Sequence, residues 1–129
     1  MTRVKLPFAA PLDDGALLGH FRARAVAGIE ELDQHIYRRS LRLAGGPAVV
    51  ELAVGPASVV AELDLTDAGD ADAAVGLCTD ALGLGSDPTV VLEALGDDPL
   101  LGAAVRLAPG RRVPGTTDGD ELAVRAVLG

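Results

Sequence analysis

The chain has 129 residues, of which 49% are apolar, but it contains only two Phe, one Tyr and no Trp, so its length fits one ordinary domain with an aliphatic core. The single cysteine, Cys78, excludes an internal disulfide and a cysteine-rich metal site, and a reduced cytoplasmic protein is expected. The net charge of −8 argues against DNA binding by this chain alone, because affinity for phosphates requires a basic excess. Neither a signal peptide nor a run of roughly 20 apolar residues is recognisable.

The first half of the sequence alternates as strands do, with one helix after the first strand. Val4, Leu6 and Phe8 share one side of a short strand. A helix then begins at the Asp13-Asp14 pair, and its predicted apolar face consists of Leu17, Leu18, Phe21 and Ala25. Four more strands are predicted at 29–33, 35–43, 50–54 and 59–65, with turns at 44–48 and 54–58. Such short turns favour antiparallel neighbours, with one face buried.

From Asp70 onward the apolar period is that of helices. The first helical stripe consists of Ala71, Ala74, Val75, Cys78 and Leu82. A further helix is predicted from Ser86 or Asp87, with Pro88 at its first position, and a short one from Pro99 toward Val105. This order predicts an α+β fold, in which an antiparallel sheet with two helices on one face covers residues 1–85 and an all-α unit begins at 86.

The last predicted helix begins at Asp118 and is apolar nearly all round. Its apolar residues are Leu122, Val124, Ala126, Val127 and Leu128. Because such a helix belongs inside a packed structure, we expect it to contact the helices of 87–105, with self-association as a further possibility.

Residue types that often carry chemistry do not form a recognisable site in this sequence. The glycines at 83 and 85 fit no phosphate-binding motif and are expected to join two helices. His20 and His35 lack further metal ligands, and Cys78 is expected in the core. Solvated positions are expected for the acidic pairs Asp13-Asp14, Glu30-Glu31 and Asp97-Asp98 and for the basic clusters Arg22/Arg24, Arg38/Arg39/Arg42 and Arg111/Arg112.

Two long stretches of the sequence carry a family resemblance. The first is LPFAAPLDDGALLGHFRARAVAGIEELDQHIYRRSLRL (6–43), which contains Arg24 to Val26 and the Tyr37, Arg39 and Ser40 of a Tyr-x-Arg-Ser motif. The second and more specific is DPTVVLEALGDDPLLGAAVRLAPGRRVPGTTDGDELAVRAVLG (87–129). Both resemble the AlkA-type DNA-3-methyladenine glycosylase II family, and the second is similar to the entry into that family's helix-hairpin-helix domain. The intervening residues 44–86 match by pattern more than by residue.

The resemblance implies that the chain is the amino-terminal part of a base-excision-repair enzyme, with a fold like half of a TATA-binding protein. In that family the catalytic domain extrudes an alkylated base from duplex DNA and hydrolyses its N-glycosidic bond with the help of an Asp. No position of this chain matches that Asp, the DNA wedge or the hairpin glycines. No catalytic, cofactor-binding or metal-binding residue is therefore assigned, no DNA-contacting residue can be named, and DNA is expected as a partner only through the catalytic domain.

Two alternatives remain open at this point. Similar domains occur in Ada-type regulators, where methyl-accepting and DNA-binding modules precede the glycosylase part. A stand-alone scaffold or interaction domain without catalytic activity would also have this composition.

Overall fold

The computed structural model describes residues 1–129 and contains five strands and five α-helices. In chain order they are β1 (Thr2–Leu6), α1 (Asp14–Arg24), β2 (Glu30–Asp33), β3 (Ile36–Leu43), β4 (Gly46–Val54), β5 (Val59–Asp64), α2 (Ala71–Ala81), α3 (Pro88–Leu95), α4 (Gly102–Leu107) and α5 (Gly119–Leu128). A 3-10 turn at Ala68–Asp70 leads into α2. None of the helices is both long and apolar enough to cross a membrane.

All five strands form one antiparallel sheet in the order β1-β5-β4-β3-β2. This confirms the α+β fold expected from the sequence, with β1 and β2 at the two edges. The predicted turn at 44–48 is shorter than expected, because Leu43 already pairs with Gly46. Gly46 has a φ of 129°, which glycine adopts without strain, so Pro47 and Ala48 can lie within β4.

One face of the sheet is buried and the other is exposed to solvent. On the buried face, Tyr37 of β3 pairs with Leu52 of β4, which pairs in turn with Ala61 of β5. One residue along, Arg38 pairs with Glu51 on the opposite face, and both side chains remain partly or largely exposed. Burying each large aliphatic side chain on the inner face contributes about 1.5–3 kcal/mol.

Helices α1 and α2 cover the buried face. The Asp13 carboxylate accepts a hydrogen bond from the Ala16 amide and begins α1, whose inward residues are Leu17, Leu18 and Phe21. Helix α2 contributes Ala74 and Cys78 to the same core. The expectation for Ala25 was wrong, because α1 ends at Arg24 and the extended backbone of Ala25 leaves that residue exposed.

The segment between α4 and α5 runs back to the sheet and its helices α1 and α2, which together we call the sheet domain. Gly110 accepts a hydrogen bond from the Asp13 amide (2.8 Å), and the Gly115 amide donates to the carbonyl of Ala81 (2.9 Å). A Cβ at Gly115 would lie 2.5 Å from the Asp80 carbonyl oxygen, so only glycine permits this approach. The side chain of Arg112 donates to the carbonyls of Ser86, Ala9 and Pro11. The chain is thereby fixed against both α1 and α2 before α5 begins.

The apolar core lies within the residues that precede α3. All 18 residues of the main cluster fall between Leu6 and Leu84. We therefore expect deletion of residues 116–129 to leave the sheet domain folded, because the deletion removes no member of this cluster. Circular dichroism with urea unfolding measures the outcome. Unfolding of the whole chain upon deletion would show that α5 belongs to the core of the sheet domain and that a boundary near Ser86 is wrong.

Candidate functional site

A pair of opposite charges lies on the buried face of the sheet, at the β2 edge. Glu30 of β2 and Arg39 of β3 face each other in the strand register. They are the two buried charged residues of the chain, only 6% and 7% exposed, and Arg39 Nη1 lies 3.4 Å from Glu30 Oε1. Charges are buried in proteins only when partners compensate for the lost water.

The Glu30 carboxylate accepts hydrogen bonds from four donors, which belong to β3, to the segment before β2 and to α5. Its Oε1 accepts hydrogen bonds from the Tyr37 hydroxyl (2.6 Å) and from Arg39, and its Oε2 accepts from the Val26 amide (3.0 Å) and from Arg125 Nη2 (3.0 Å). Burial by itself raises the pKa of Glu30, but the bonds from Tyr37, Val26 and Arg125 outweigh it and hold the pKa below its usual value. The carboxylate is thus stabilised in its charged form.

Helix α5 supplies two further charges to this pair. Arg39 Nη2 donates to Glu121 Oε2 (2.7 Å), and Arg125 contacts both Glu30 and Glu121, the latter at 2.7 Å. Glu121 and Arg125 lie four residues apart, so they project from the same side of α5. The group of two carboxylates and two guanidiniums carries no net charge.

The start of α5 is held by a separate ion pair. The Asp118 carboxylate caps the helix by accepting from the amides of Asp120 and Glu121. The same carboxylate accepts from Arg42 Nε (2.8 Å) and Nη2 (2.9 Å) of β3. The bonds from Arg42 and from the helix amides hold the pKa of Asp118 below its usual value.

A groove of about 650 Å³ opens beside the charged group, between α1, the β2–β3 edge and α5. Phe21 stacks on Tyr37 at its base, with ring centroids 4.6 Å apart, and His20 packs edge-on against Phe21. Burial and the nearby Arg24 lower the pKa of His20 and thus favour its neutral imidazole. The wall of the groove opposite α1 is formed by Glu121, Leu122, Arg125, Ala126 and Leu128.

The remaining candidate residues occupy structural positions. Nowhere do three His, Cys, Asp or Glu side chains converge in a way that could hold a metal ion. Cys78 is buried, and burial raises the pKa of its thiol to about 11. The glycine-containing stretch at 83–86 joins the end of α2 to the cap of α3: Gly83 has a φ of 65°, and Asp87 accepts from the Thr89 amide.

Three expectations of solvated charge were wrong, those for Glu30, Arg39 and Arg112. The side chain of Arg112 is partly buried and donates to three backbone carbonyls. Arg39 and Glu30 belong to the buried group, whereas their neighbours Arg38 and Glu31 lie on the exposed face. The alternation of β3 already places Arg39 on the same face as Tyr37 and Leu41, which is the signal that could have identified it. The expected contact of α5 with α3 and α4 was also wrong: its side-chain hydrogen bonds to other elements go to β2, β3 and the end of α1.

The Glu30 carboxylate makes stability depend on acid pH. Its folded pKa lies below the roughly 4.3 of an unperturbed glutamate, so it stabilises the fold above that pH, and this contribution is lost as the pH falls through the folded pKa. We expect Glu30→Gln to cost about 1–3 kcal/mol at pH 7 and to lessen the decline of the urea midpoint in acid. The exposed Glu31→Gln is the control; identical acid slopes in the wild type and Glu30→Gln would contradict this assignment.

Several known proteins are similar to this chain in sequence, in fold or in both. The family model for the AlkA N-terminal domain matches residues 3–118. The "Probable bifunctional transcriptional activator/DNA repair enzyme AlkA" of Mycobacterium tuberculosis is 45% identical over 125 residues, which are 97% of this chain and 25% of that protein. DNA-3-methyladenine glycosylase 2 of Escherichia coli is 34% identical over 126 residues, which are 96% of this chain and 43% of that protein.

Among solved structures, a 3-methyladenine DNA-glycosylase from Archaeoglobus fulgidus matches with a TM-score of 0.74 over 99% of this chain and 44% of its own. At 16% identity this likeness shows the fold alone. The chain covers a quarter of the length of the M. tuberculosis protein and less than half of the length of the other two. The family match over most of the sequence shows that this chain belongs to the AlkA N-terminal domain family.

Proposed function

We propose that this chain is the non-catalytic amino-terminal domain of a cytoplasmic DNA repair glycosylase that removes alkylated bases such as 3-methyladenine. Its work in that protein is to hold α5 in a fixed position for a helical catalytic domain. Membership of the AlkA N-terminal domain family and the names of the related proteins support the reaction class. The role in holding α5 is supported by the ion pairs that join α5 to the sheet.

The observation that carries this proposal is the orientation of α5. Glu121 and Arg125 face the sheet and Leu122 and Ala126 line the groove, whereas Val124 and Val127 point to solvent. The exposed fractions are 52% for Leu122, 59% for Val124, 86% for Val127 and 81% for Leu128. Exposed apolar residues that share one side of a helix, as Val124, Val127 and Leu128 do at i, i+3 and i+4, are typical of an interface. The exposed apolar residues of α5 could pack against apolar residues of a helical domain. They therefore support intramolecular contact with the helix-hairpin-helix domain of the proposed enzyme.

The chemistry of base removal requires a carboxylate that this domain does not offer. As the N-glycosidic bond breaks, positive charge builds up on the sugar, and a carboxylate beside the sugar stabilises it. Glu30 is the buried carboxylate of the chain, but Arg39 and Arg125 neutralise it, and the Tyr37 hydroxyl and the Val26 amide occupy its remaining acceptor positions. We therefore assign the reacting carboxylate to the catalytic domain and a supporting role to this one.

A second candidate function has its own support. The relative from M. tuberculosis is named as a bifunctional transcriptional activator and DNA repair enzyme, and this chain corresponds to a quarter of it. In such a protein the domain would stand between regulatory modules and the glycosylase part. The gene sequence upstream of the codon for Met1 distinguishes the two candidates, because only the second requires additional modules there.

We expect the isolated 129-residue chain to release no methylated base. Duplex DNA containing 3-methyladenine is incubated with the chain, and free base is quantified against buffer and against the E. coli DNA-3-methyladenine glycosylase 2. Release well above the rate in buffer would refute the non-catalytic assignment.

The supporting role is tested in a chimera in which this chain replaces the matched residues of the relative from M. tuberculosis. We expect the chimera to release base and Val127→Asp to abolish the release, since a charge would enter an apolar interface. In the isolated chain the same substitution should change stability by no more than about 0.5 kcal/mol, because the residue is exposed. An active Val127→Asp chimera would contradict the proposed interface.

Binding of undamaged DNA by the isolated chain should be weak, with a dissociation constant no tighter than roughly 10⁻⁵ M at physiological salt. The net charge is −8, and the arginines that could contact phosphates are largely engaged: Arg38 with Glu51, Arg42 with Asp118 and Arg111 with Asp13. Fluorescence anisotropy with a labelled duplex measures the constant. Nanomolar affinity would show that these ion pairs open readily to admit phosphates.

A further inference from the structure

Helix α5 is attached to the sheet domain mainly by charge and very little by apolar burial. Asp118, Glu121 and Arg125 are partly buried and ion-paired, but none of the residues of α5 is fully buried. The usual arrangement of an amphipathic helix, with apolar residues inward, is therefore reversed. The position of such a helix must be determined by its ion pairs.

We propose that Glu30, Arg39, Glu121 and Arg125 form a clamp that fixes the rotation of α5 about its own axis, with Glu30 as the positioning residue. The clamp determines which side of α5 faces the sheet and, as a result, which apolar side is presented outward. It can be measured in the isolated chain, so its failure is distinguishable from failure of the proposed function.

Rotational selection follows from the geometry of a helix. Turning α5 by one residue, about 100°, would replace Glu121 and Arg125 with Leu122 and Ala126 at the sheet. Glu30 and Arg39 would then keep only each other, at 3.4 Å, as charged partners, because Glu30 would lose Arg125 and Arg39 would lose its 2.7 Å bond to Glu121. Buried charges without full compensation are strongly unfavourable, which is how buried polar groups select one arrangement among several.

Glu30 is the centre of the clamp because it joins the two elements directly. Its Oε1 contacts Arg39 on the sheet, and its Oε2 contacts Arg125 on α5. The Tyr37 hydroxyl and the Val26 amide hold the carboxylate in place from behind. Without the charge on Glu30, both guanidiniums depend on the single carboxylate of Glu121.

The test compares two neighbouring carboxylates on opposite faces of β2. Hydrogen exchange is measured for the amides of α5 and of β3 to β5 in the wild type, Glu30→Gln and Glu31→Gln. We expect Glu30→Gln to accelerate exchange in α5 by roughly tenfold or more beyond the acceleration that its loss of overall stability produces in the sheet, and Glu31→Gln to have no effect. Unchanged exchange in α5, or equal acceleration throughout the sheet, would overturn the proposal.

A variant on the helix side provides an independent test that does not disturb the sheet core. Arg125→Met removes the link to Glu30 from the partly exposed side, and it should also accelerate exchange in α5. The double variant Glu30→Gln/Arg125→Met should exchange no faster than the faster single variant, because both changes remove the same contact. Effects that multiply would show that the two residues act separately, and the clamp would be refuted.

Discussion

The placement of α5 depends on the requirement that buried charge stay paired. Glu30 and Arg39 have lost nearly all contact with water beside an aliphatic sheet, and burying either one alone would cost several kcal/mol. Two charges from α5 make the group neutral, and the Tyr37 hydroxyl occupies a further acceptor position. The four paired side chains are Glu30, Arg39, Glu121 and Arg125. Their arrangement is compatible with the edge strand β2, with the stack of Phe21 on Tyr37 and with the direction of α5.

Most of the fold could be predicted from local patterns. Alternation in β3 and β5 and the helical stripe of α2 have periods that only one type of element satisfies, and the short turns between strands predicted antiparallel neighbours. The start of β4 was missed because Gly, Gly and Pro at 45–47 have the composition of a loop, although the turn needs only Ala44 and Gly45. Composition alone does not determine how many of such residues a turn uses.

The charged group could not be predicted, because its members are far apart in the sequence. Arg39 and Glu121 are separated by 82 positions, and no local pattern links them. Clustered arginines are usually solvated, so the composition of this stretch indicated an exposed side chain for Arg39. The alternation of β3 nevertheless places Arg39 inward. Likewise, the apolar composition of α5 suggested a buried helix, whereas the spacing of Asp118, Glu121 and Arg125 forms a polar stripe that turns toward the sheet.

The position of Tyr37 has an optical consequence. The chain contains one tyrosine and no tryptophan, so emission excited at wavelengths that phenylalanine does not absorb comes from this ring alone. Its hydroxyl donates to Glu30 at 2.6 Å, and its face stacks on Phe21 beside the groove. A carboxylate that accepts the phenolic proton quenches tyrosine emission, and the strength of this quenching varies with the distance between the two groups. The emission of Tyr37 therefore reports, without any label, whether the contact between the sheet and α5 at Glu30 is intact.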